Sequence, residues 1–359
     1  MSRLMAIYRG IKCGCSRSEV LYPVKPARCA QRITQGGSRR GDITTYREDT
    51  TRESRYTPAE VEAALSVARA YIRFCPIDFG KAYLWKRYFE PYLGWRTELK
   101  PRVVKTRFGF SLQVKLPDTI QKVVLLTGRW EPFLTRFVLD TLRSGDTFVD
   151  LGANIGYYSL LASRLISESG RVYSIEASPS IFGCLRENVA RNHVTNITAI
   201  HAIVSDKECR KPFWLAPEPH GGRSTALEAV ASHLDMHLEA YVWSSPLIDL
   251  IPTESLFNAR LIKVDVEGAE GEVLRPLVPL LSRFCARTRW MVELSPELSP
   301  GGQADIDWIY QSFCSAGYRA FAVPNTYSPA GYLARVSSAG LQQLSRPPTT
   351  QSDVVFVRH

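Results

Sequence analysis

A strand, a glycine turn and a helix start follow one another at residues 148–159, and this segment constrains the fold more than any other. An apolar run ends in Asp150, and a Gly-x-x-x-Gly turn from Gly152 to Gly156 leads into a helical pattern. Glycines let the backbone approach a ligand closely, and the free N–H groups at a helix start favour an anionic group. The segment therefore predicts a nucleotide-type cofactor pocket.

A carboxylate stands where a ribose-binding group is expected. Glu176 ends the next apolar run, 172–175, and lies 20 residues beyond Gly156. This spacing is typical of the acid that binds ribose hydroxyls in a βαβ unit. The turn lacks the Gly-x-Gly-x-x-Gly spacing of dinucleotide sites, and an acid followed by Gly-x-Asn-x-Gly fits S-adenosylmethionine better.

Strand and helix patterns alternate from residue 147 onward. Such alternation predicts an α/β fold with helices on both faces of a mostly parallel sheet. The last two strands are separated only by a loop rich in Pro and Ser, so we expect them to form an antiparallel hairpin at one edge. The seven predicted strands are 147–151, 171–175, 197–204, 261–264, 290–292, 318–323 and 354–357, and the predicted helices include 157–166, 269–281 and 303–315.

The three predicted regions of the chain are a basic tail at 1–56, a helical segment at 57–100 and a Rossmann-like domain at 101–359. The tail is rich in arginine and lacks hydrophobic periodicity, so we expect disorder, with a transit peptide as the alternative. The helical segment begins at the N-cap signal Thr57-Pro58. The domain is expected to open with a hairpin over 103–126 and a helix over 131–142, both within 101–145.

The charge distribution argues against a nucleic-acid partner. The formal net charge is +10, and the first 60 residues carry +6 of it, from 12 Lys/Arg and 6 Asp/Glu, which leaves +4 for the other 299. The domain is therefore not a strongly basic nucleic-acid surface. No run approaches the roughly 18 consecutive apolar residues that span a bilayer, so no membrane partner is expected.

The spacing of cysteines and histidines predicts neither disulfides nor a metal. The eight cysteines include no Cys-x-x-Cys pair, and we expect reduced thiols in a cytoplasmic protein. His233 and His237 lie four residues apart on a predicted helix and could share a face. No third ligand follows at a suitable spacing, so we expect no metal.

Three blocks of the sequence resemble one family, the FkbM-type S-adenosylmethionine-dependent methyltransferases. They are GRWEP at 128–132, VDLGANIG with the following YYS at 149–159, and LIKVDVEGAE at 261–270. The resemblance covers roughly residues 100–325. It implies a Rossmann-like methyltransferase fold, S-adenosylmethionine as the cofactor and transfer of a methyl group. The segment 211–245 looks divergent, so the acceptor is the least transferable part of the resemblance.

The resemblance also implies a role for each residue of the cofactor site. Glu176 would accept both ribose hydroxyls, and Asp150 would order the glycine turn and the methionine ammonium. Glu131 would close over the cofactor. The alternative is that it only stabilises the N-terminus of a helix, where an acidic residue is favourable. The residues implied to hold the methionyl part are Gly152, Ala153, Asn154 and Gly156, and those implied to border the adenine are Val204, Ser205 and Asp206.

Acidic residues at the ends of the fourth and fifth strands are the candidates for catalysis, because open α/β sheets bind ligands there. A hydroxyl acceptor benefits from a carboxylate base within hydrogen-bond reach. Asp265 is the first choice for this base, Glu267 the second and Glu293 the third. Glu267 has a helix-capping role as its alternative, and Lys263 is expected to be structural rather than catalytic.

The combined patterns predict a methyltransferase that acts on a hydroxyl of a small molecule or sugar. The alternatives are a nucleic-acid or protein methyltransferase, and a degenerate methyltransferase fold that serves as an interaction module. The glycines of the turn are intact, as are Glu176 and Asp265, and this argues against a degenerate cofactor site. The identity of the acceptor and the oligomeric state are left open by the sequence.

Overall fold

The computed structural model describes residues 58–75, 80–86, 101–115, 118–217, 221–325 and 327–358. The tail predicted at 1–56 lies outside these residues, as do positions 87–100 of the helical segment, so the three-region division stays a prediction. Within the described ranges, no helix is long and apolar enough to cross a membrane.

A short hairpin and several helices precede the main sheet. These elements are α1 (Pro58–Phe74), α2 (Lys81–Leu84), β1 (Arg102–Lys105), β2 (Ser111–Val114), α3 (Thr119–Thr127) and α4 (Pro132–Thr141). The hairpin predicted over 103–126 is wrong in its second half, which forms α3. Asp118 caps this helix by accepting the N–H of Gln121 at 2.9 Å, and residues 123–126 are fully buried. The helix predicted over 131–142 is confirmed as α4.

The remaining elements follow in chain order. The strands are β3 (Thr147–Leu151), β4 (Arg171–Glu176), β5 (Ile197–His201), β6 (Ile203–Val204), β7 (Cys209–Leu215), β8 (His237–Ser245), β9 (Leu261–Val264), β10 (Arg289–Leu294), β11 (Tyr318–Ala322), β12 (Gln342–Gln343) and β13 (Ser352–Arg358). The helices are α5 (Tyr157–Ile166), α6 (Pro179–Arg191), α7 (Glu228–His233), α8 (Leu247–Leu250), α9 (Thr253–Phe257), α10 (Glu270–Leu274), α11 (Gln303–Ser315) and α12 (Pro329–Leu333), with 3-10 helices at Gly221–Arg223 and Val278–Arg283.

The central sheet has the order β12-β11-β13-β10-β9-β3-β4-β5. The five strands from β10 to β5 in this order are parallel, and β13 pairs antiparallel with both β10 and β11. This arrangement confirms the predicted Rossmann-like α/β fold with an antiparallel edge hairpin. The sheet has eight strands rather than seven, because the two residues of β12 pair with β11 inside the segment that was expected to be only a loop.

A second sheet, of order β6-β8-β7, departs from the sequence prediction. The strand predicted over 197–204 divides at Ala202, and its last part, β6, pairs with β8. His233 ends α7 and His237 begins β8, so the helical face predicted for these two histidines is wrong. In β8 the buried Val242 lies between exposed neighbours, which is the period-2 pattern of a half-buried strand.

The apolar core lies on both faces of the central sheet. Phe148 packs on one face and Val149 and Leu151 on the other, because alternate side chains of a strand point in opposite directions. The carboxyl ends of the parallel strands β3, β4, β9 and β10 meet at one edge of this sheet, and the polar residues that follow these strands lie close together.

Candidate active site

A cavity of about 380 Å³ opens at the carboxyl ends of the parallel strands, where open α/β sheets bind ligands. Its volume is in the range of cofactor and small-molecule sites. The predicted site residues that line it are Glu131, Gly152, Ala153, Asn154, Glu176, Val204, Asp265, Glu267 and Glu293. The predicted residues that do not line it are Asp150, Gly156, Ser205 and Asp206.

The glycine turn from Gly152 to Gly156 has left-handed backbone at both glycines, and it passes close to neighbouring elements. Gly152 has a φ of 72°, and a Cβ at this position would lie 1.8 Å from the carbonyl oxygen of Asp265. Gly156 has a φ of 91° and begins α5, and a Cβ there would lie 2.6 Å from a leucine side chain of α6. Asn154 has a φ of 50°, and its Oδ1 accepts the N–H of Ile155 at 2.7 Å. Both glycines are therefore sterically necessary in this turn.

Asp150 lies beneath the turn and is fully buried. Its Oδ2 accepts the hydroxyl of Ser159 at 2.6 Å, and the Nζ of Lys263 lies 3.8 Å from its Oδ1. Burial raises the pKa of Asp150, an effect that Lys263 and Ser159 oppose. Since this side chain is behind the cavity wall, its contacts support a role in ordering the turn rather than direct contact with a ligand.

Glu176 extends from the end of β4 into the cavity. Its Oε2 accepts the backbone N–H of Asn154 at 2.8 Å, and its Oε1 accepts that of Ser178 at 2.9 Å. A carboxylate offers about four lone-pair sites, so this group can accept further hydrogen bonds from hydroxyls of a ligand. Burial raises the pKa of Glu176 to about 7, against the effect of these backbone hydrogen bonds. The arrangement fits the two adjacent hydroxyls of a ribose.

The cavity wall after β5 is more apolar than predicted. Its lining residues are Ala202, Ile203, Val204 and, from β7, Phe213. Ser205 instead donates its hydroxyl to Glu272 at 3.1 Å and to Asp206 at 3.2 Å. Sequence reasoning missed Phe213 because it belongs to the divergent segment, and only the pairing of β6, β8 and β7 brings it to the cavity.

Glu131 stands at the N-terminus of α4 with a φ of 36°, but its side chain does not cap the helix. Its Oε2 accepts the hydroxyl of Tyr158 at 2.7 Å. Its Oε1 accepts the hydroxyl of Tyr327 at 3.1 Å and the amide of Asn325 at 3.2 Å. Burial, followed by repulsion from Asp353, raises the pKa of Glu131 to about 8. These contacts favour a role in the cavity over simple stabilisation of a helix end.

Three carboxylates converge on the same cavity. Oxygen atoms of Asp265, Glu267 and Glu293 lie within 4.8 Å of one another. Burial favours a raised pKa for Asp265, but Lys263 and a hydrogen bond with Glu293 outweigh it and lower that pKa. Burial, followed by the charge of Asp265, raises the pKa of Glu267 and Glu293 well above the ordinary value. An oxygen cluster of this kind could hold a divalent cation, but Lys263 already neutralises part of its charge.

Lys263 joins the turn to this carboxylate cluster. Its Nζ donates to Asp265 at 2.8 Å and to the carbonyl oxygen of Gly152 at 3.4 Å, and it also neighbours Asp150. Burial lowers its pKa, yet the carboxylates around it more than compensate and raise the pKa above the ordinary value. In the sequence, the only indication of this connecting role is that Lys263 lies inside an otherwise apolar strand.

The cavity lining also includes Trp130, Tyr327 and Tyr332, aromatic residues to which the sequence assigned no role. Trp130 stacks on Tyr332 with 5.4 Å between ring centroids, and Tyr327 lies 6.5 Å from Trp130. Gln351 donates its amide to Glu293 in the same region. Tyr327 and Tyr332 come from the segment predicted to be a loop, where no local pattern marks them.

Comparison with known proteins shows what this chain is similar to. The family model described as Methyltransferase FkbM domain matches residues 150–320. Protein-L-isoaspartate O-methyltransferase of Methanococcoides burtonii is 26% identical over 161 residues, which are 43% of this chain and 74% of that protein. Methyltransferase sdnD of Sordaria araneosa is 28% identical over 159 residues, which are 37% of this chain and 61% of that protein.

Among solved structures, methyltransferase FkbM from Methylobacillus flagellatus is similar with a TM-score of 0.36 and 14% identity, over 66% of this chain and 53% of that chain. The family match, the parallel sheet and the glycine turn followed by Glu176 together define a class: the protein is an S-adenosylmethionine-dependent methyltransferase. More particularly, it carries a methyltransferase FkbM domain at residues 150–320, which confirms the resemblance found in the sequence.

Proposed function

We propose that the protein transfers the methyl group of S-adenosylmethionine to a hydroxyl of a small molecule or sugar. The observation that carries this proposal is the acceptor wall, which we define as Trp130, Glu131, Asp265, Glu267, Glu293 and Tyr327. Its aromatic rings can pack against the C–H face of a sugar ring, and its carboxylates can accept hydrogen bonds from hydroxyls.

The cofactor in this proposal lies along the glycine turn. Glu176 binds the two ribose hydroxyls, and the backbone from Gly152 to Gly156 faces the methionyl part. The adenine borders Phe213 and the apolar wall after β5, instead of Ser205 and Asp206 as the resemblance implied. Glu131 closes the cavity from α4. When bound, S-adenosylmethionine supplies an electrophilic methyl group on a sulfonium.

The chain's own task in the reaction is to hold the acceptor hydroxyl and accept its proton. Asp265 is the proposed base, because Lys263 keeps it ionised and 31% of its side chain is exposed. A carboxylate at hydrogen-bond distance removes the proton as the oxygen attacks, and correct positioning of the two reactants supplies much of the acceleration. Glu267 is the second candidate, since its raised pKa makes it a stronger base once it is ionised.

The lining of the cavity favours acceptors that bind through hydrogen bonds. It contains six carboxyl groups, at positions 118, 131, 176, 265, 267 and 293, against the two cations Lys263 and Arg223. Burial raises the pKa of Glu131, Glu176, Glu267 and Glu293, so these groups are partly protonated near neutral pH and can bind neutral hydroxyls by hydrogen bonds. Such a lining offers a phosphodiester little positive charge, and nucleic-acid methylation is thus the weaker alternative.

A product screen tests the proposal. The purified protein would receive S-adenosylmethionine with a labelled methyl group together with neutral sugars and hydroxylated small molecules, RNA, or a protein extract in separate reactions. We expect the label in an O-methyl ether of the small-molecule fraction. Label recovered in RNA or protein would overturn the proposed acceptor class while leaving the cofactor assignment intact.

A cytoplasmic location is also part of the proposal. The cysteines within the described residues are all free thiols, namely Cys75, Cys184, Cys209, Cys285 and Cys314. Free thiols are the usual state in a reducing compartment. Fractionation of cells that express the full chain would test this, and recovery in an oxidising compartment would contradict it.

A further inference from the structure

Lys263 has two carboxylate neighbours at unequal distances. Its Nζ lies 2.8 Å from Oδ2 of Asp265 and 3.8 Å from Oδ1 of Asp150, and among the described residues these are the carboxylates within ion-pair distance. Lys263 and Asp150 are buried, whereas 31% of the Asp265 side chain is exposed and Asp265 lines the cavity. Lys263 therefore connects the proposed base with a carboxylate behind the cavity wall.

Asp150 has one oxygen that no donor satisfies. Its Oδ2 accepts the hydroxyl of Ser159 at 2.6 Å, and the hydroxyl of Ser174 donates to that of Ser159 at 2.7 Å. Its Oδ1 is buried and has no hydrogen-bond partner among the described residues. A buried acceptor without a hydrogen bond is unfavourable, so Oδ1 would be stabilised by a donor that approached it.

Lys263 has a donor to spare. An ammonium group carries three N–H groups, and the acceptors of Lys263 among the described residues are Asp265 at 2.8 Å and the carbonyl oxygen of Gly152 at 3.4 Å. The ring of Tyr158, 5.6 Å from Nζ, offers only a cation–π contact. A shift of Nζ by about 1 Å would bring Oδ1 of Asp150 to the usual distance of a charge-assisted hydrogen bond.

The proposed reaction removes the negative charge of Asp265. The new O–C bond forms as the C–S bond of the sulfonium breaks, and the proton of the acceptor hydroxyl passes to Asp265. Lys263 then lacks a counter-charge, which is costly for a buried ammonium. Because the charge of Asp265 also raises the pKa of Asp150, the loss of that charge favours ionised Asp150 at the same moment.

The other ionisable groups around this pair do not offer Lys263 a second partner. Burial raises the pKa of each neighbouring carboxyl group, and within the described part of the chain none of them forms an ion pair with Lys263. These groups are Glu131 before α4, Glu176 of β4, Glu267 after β9 with Arg223 near it, Glu293 of β10 and Asp353 of β13.

We propose that Lys263 is a positioning residue that exchanges carboxylate partners during turnover. It holds Asp265 ionised before methyl transfer and moves to Oδ1 of Asp150 once Asp265 has taken the proton. This inference rests on the proposed function, because it requires Asp265 to be the base.

Crystal structures of the full-length wild type and Asp265→Asn test the exchange, since Asn imitates the neutral base and keeps its shape. We expect the distance from Nζ of Lys263 to Oδ1 of Asp150 to fall from 3.8 Å to about 3 Å in the variant. Glu267→Gln is the control, because Glu267 makes no ion pair with Lys263, and Lys263 should stay on Asp265. Calorimetric binding of S-adenosylmethionine verifies that each variant is folded, and Asp265→Ser replaces Asp265→Asn if the latter fails this check.

Carbon-13 NMR of protein labelled at the aspartate carboxyl groups follows the ionisation of Asp150 from pH 4 to 8, with its resonance assigned by its loss in Asp150→Asn. We expect Asp265→Asn to lower the pKa of Asp150 by about one unit or more, since an opposite charge at contact shifts a carboxyl pKa by roughly one to three units. In the Lys263→Met background the same substitution should shift this pKa less than half as much. A lysine with only a structural role would not produce this difference.

Three results would overturn the proposal: an unchanged distance between Lys263 and Asp150 in Asp265→Asn, an Asp150 that stays protonated up to pH 8 in that variant, or an equal change in Glu267→Gln. Neither measurement uses an acceptor. A product screen that places the label in RNA or protein would therefore contradict the proposed acceptor class and leave the exchange of partners intact.

Discussion

At the scale of single residues, the site depends on carboxylates whose surroundings give them different protonation states. Glu176 has a pKa raised to about 7 by burial, whereas Asp265 has a pKa lowered by Lys263 despite burial. One carboxylate therefore titrates near neutral pH, and the other stays ionised throughout the physiological range. We expect the first to affect cofactor affinity and the second to affect turnover.

Replacement of Glu176 by Gln should weaken binding of S-adenosylmethionine about tenfold or more at pH 8, because charge-assisted hydrogen bonds to the ribose hydroxyls are lost. The wild type should also bind more tightly at pH 8 than at pH 6, since only the ionised carboxylate accepts from both hydroxyls, and the variant should lose this dependence. Calorimetric titration measures both effects. The exposed Glu168→Gln is the control, and an unchanged affinity in Glu176→Gln would remove this residue from the ribose site.

Replacement of Asp265 by Asn should lower kcat by roughly 10²–10⁴ and change cofactor affinity little, because it removes a general base but keeps the shape of the side chain. Steady-state rates with the acceptor found in the product screen, compared with calorimetric affinity, would separate the two effects. Asp249→Asn, on the exposed side of α8, should have normal kinetics. A fully active Asp265→Asn would assign the base to Glu267 or Glu293.

At the scale of elements, the turn between β3 and α5 is held by its contacts with neighbouring elements. The N–H groups of Gly152 and Ala153 both donate to the carbonyl oxygen of Ile175 at 3.0 Å, and Asn188 of α6 donates its amide to the carbonyl oxygen of Ile155 at 2.9 Å. The close approach of the turn to β9 leaves no room for a side chain at Gly152.

Gly152→Ala should abolish detectable binding of S-adenosylmethionine and lower the free energy of unfolding by more than about 1 kcal/mol, because the new methyl group clashes with Asp265 and the φ is positive. Urea denaturation and calorimetric titration measure the two effects. Gly183→Ala is the matched control, since a Cβ there has open space within α6, and it should stabilise the protein by about 0.5–1 kcal/mol. Normal cofactor binding by Gly152→Ala would show that the turn can rearrange.

At the scale of the whole molecule, buried carboxyl groups link stability to pH. Burial raises the pKa of Glu131 to about 8 and the pKa of Glu176, Glu270 and Asp353 to about 7. In the unfolded chain these groups have their ordinary values of 4.5 and 3.8. Between pH 5 and 8 the folded protein therefore retains protons that the unfolded chain has released.

The free energy of unfolding should consequently fall as the pH rises from about 5 to about 8, because proton binding favours the folded state in this window. Urea denaturation at pH 5, 6.5 and 8 measures the trend. Asp353→Asn should reduce the slope, since Asn stays neutral and can still accept the amide of Asn325. A free energy of unfolding that rises across the same window would contradict the raised pKa values.

The success of the sequence predictions depended on how local each feature was. The strands β3, β4 and β9 and the helices α5 and α11 were predicted well, because their apolar periodicity and end signals lie within about fifteen residues. Errors arose where long-range pairing decided the structure: the sequence of α3 alternates like a strand, and the helix predicted to carry both His233 and His237 ends at His233, four residues before β8 begins. Ser205 and Asp206 were assigned by chain position alone, and the turn of the chain after β6 takes them off the cavity lining.

The sequence by itself determined one half of the cavity: the glycine turn, Glu176 at the end of the next strand, and the strands that flank them. These features could be predicted because the glycine turn and the carboxylate that ends the next strand both lie within a single βαβ unit. The tertiary structure alone decided what faces that half. Glu131 bonds to Tyr327, which lies 196 positions further along the chain, and Phe213 reaches the cavity through a second sheet. Contacts at such separation depend on the packing of every element between them, so no local pattern of residues specifies them.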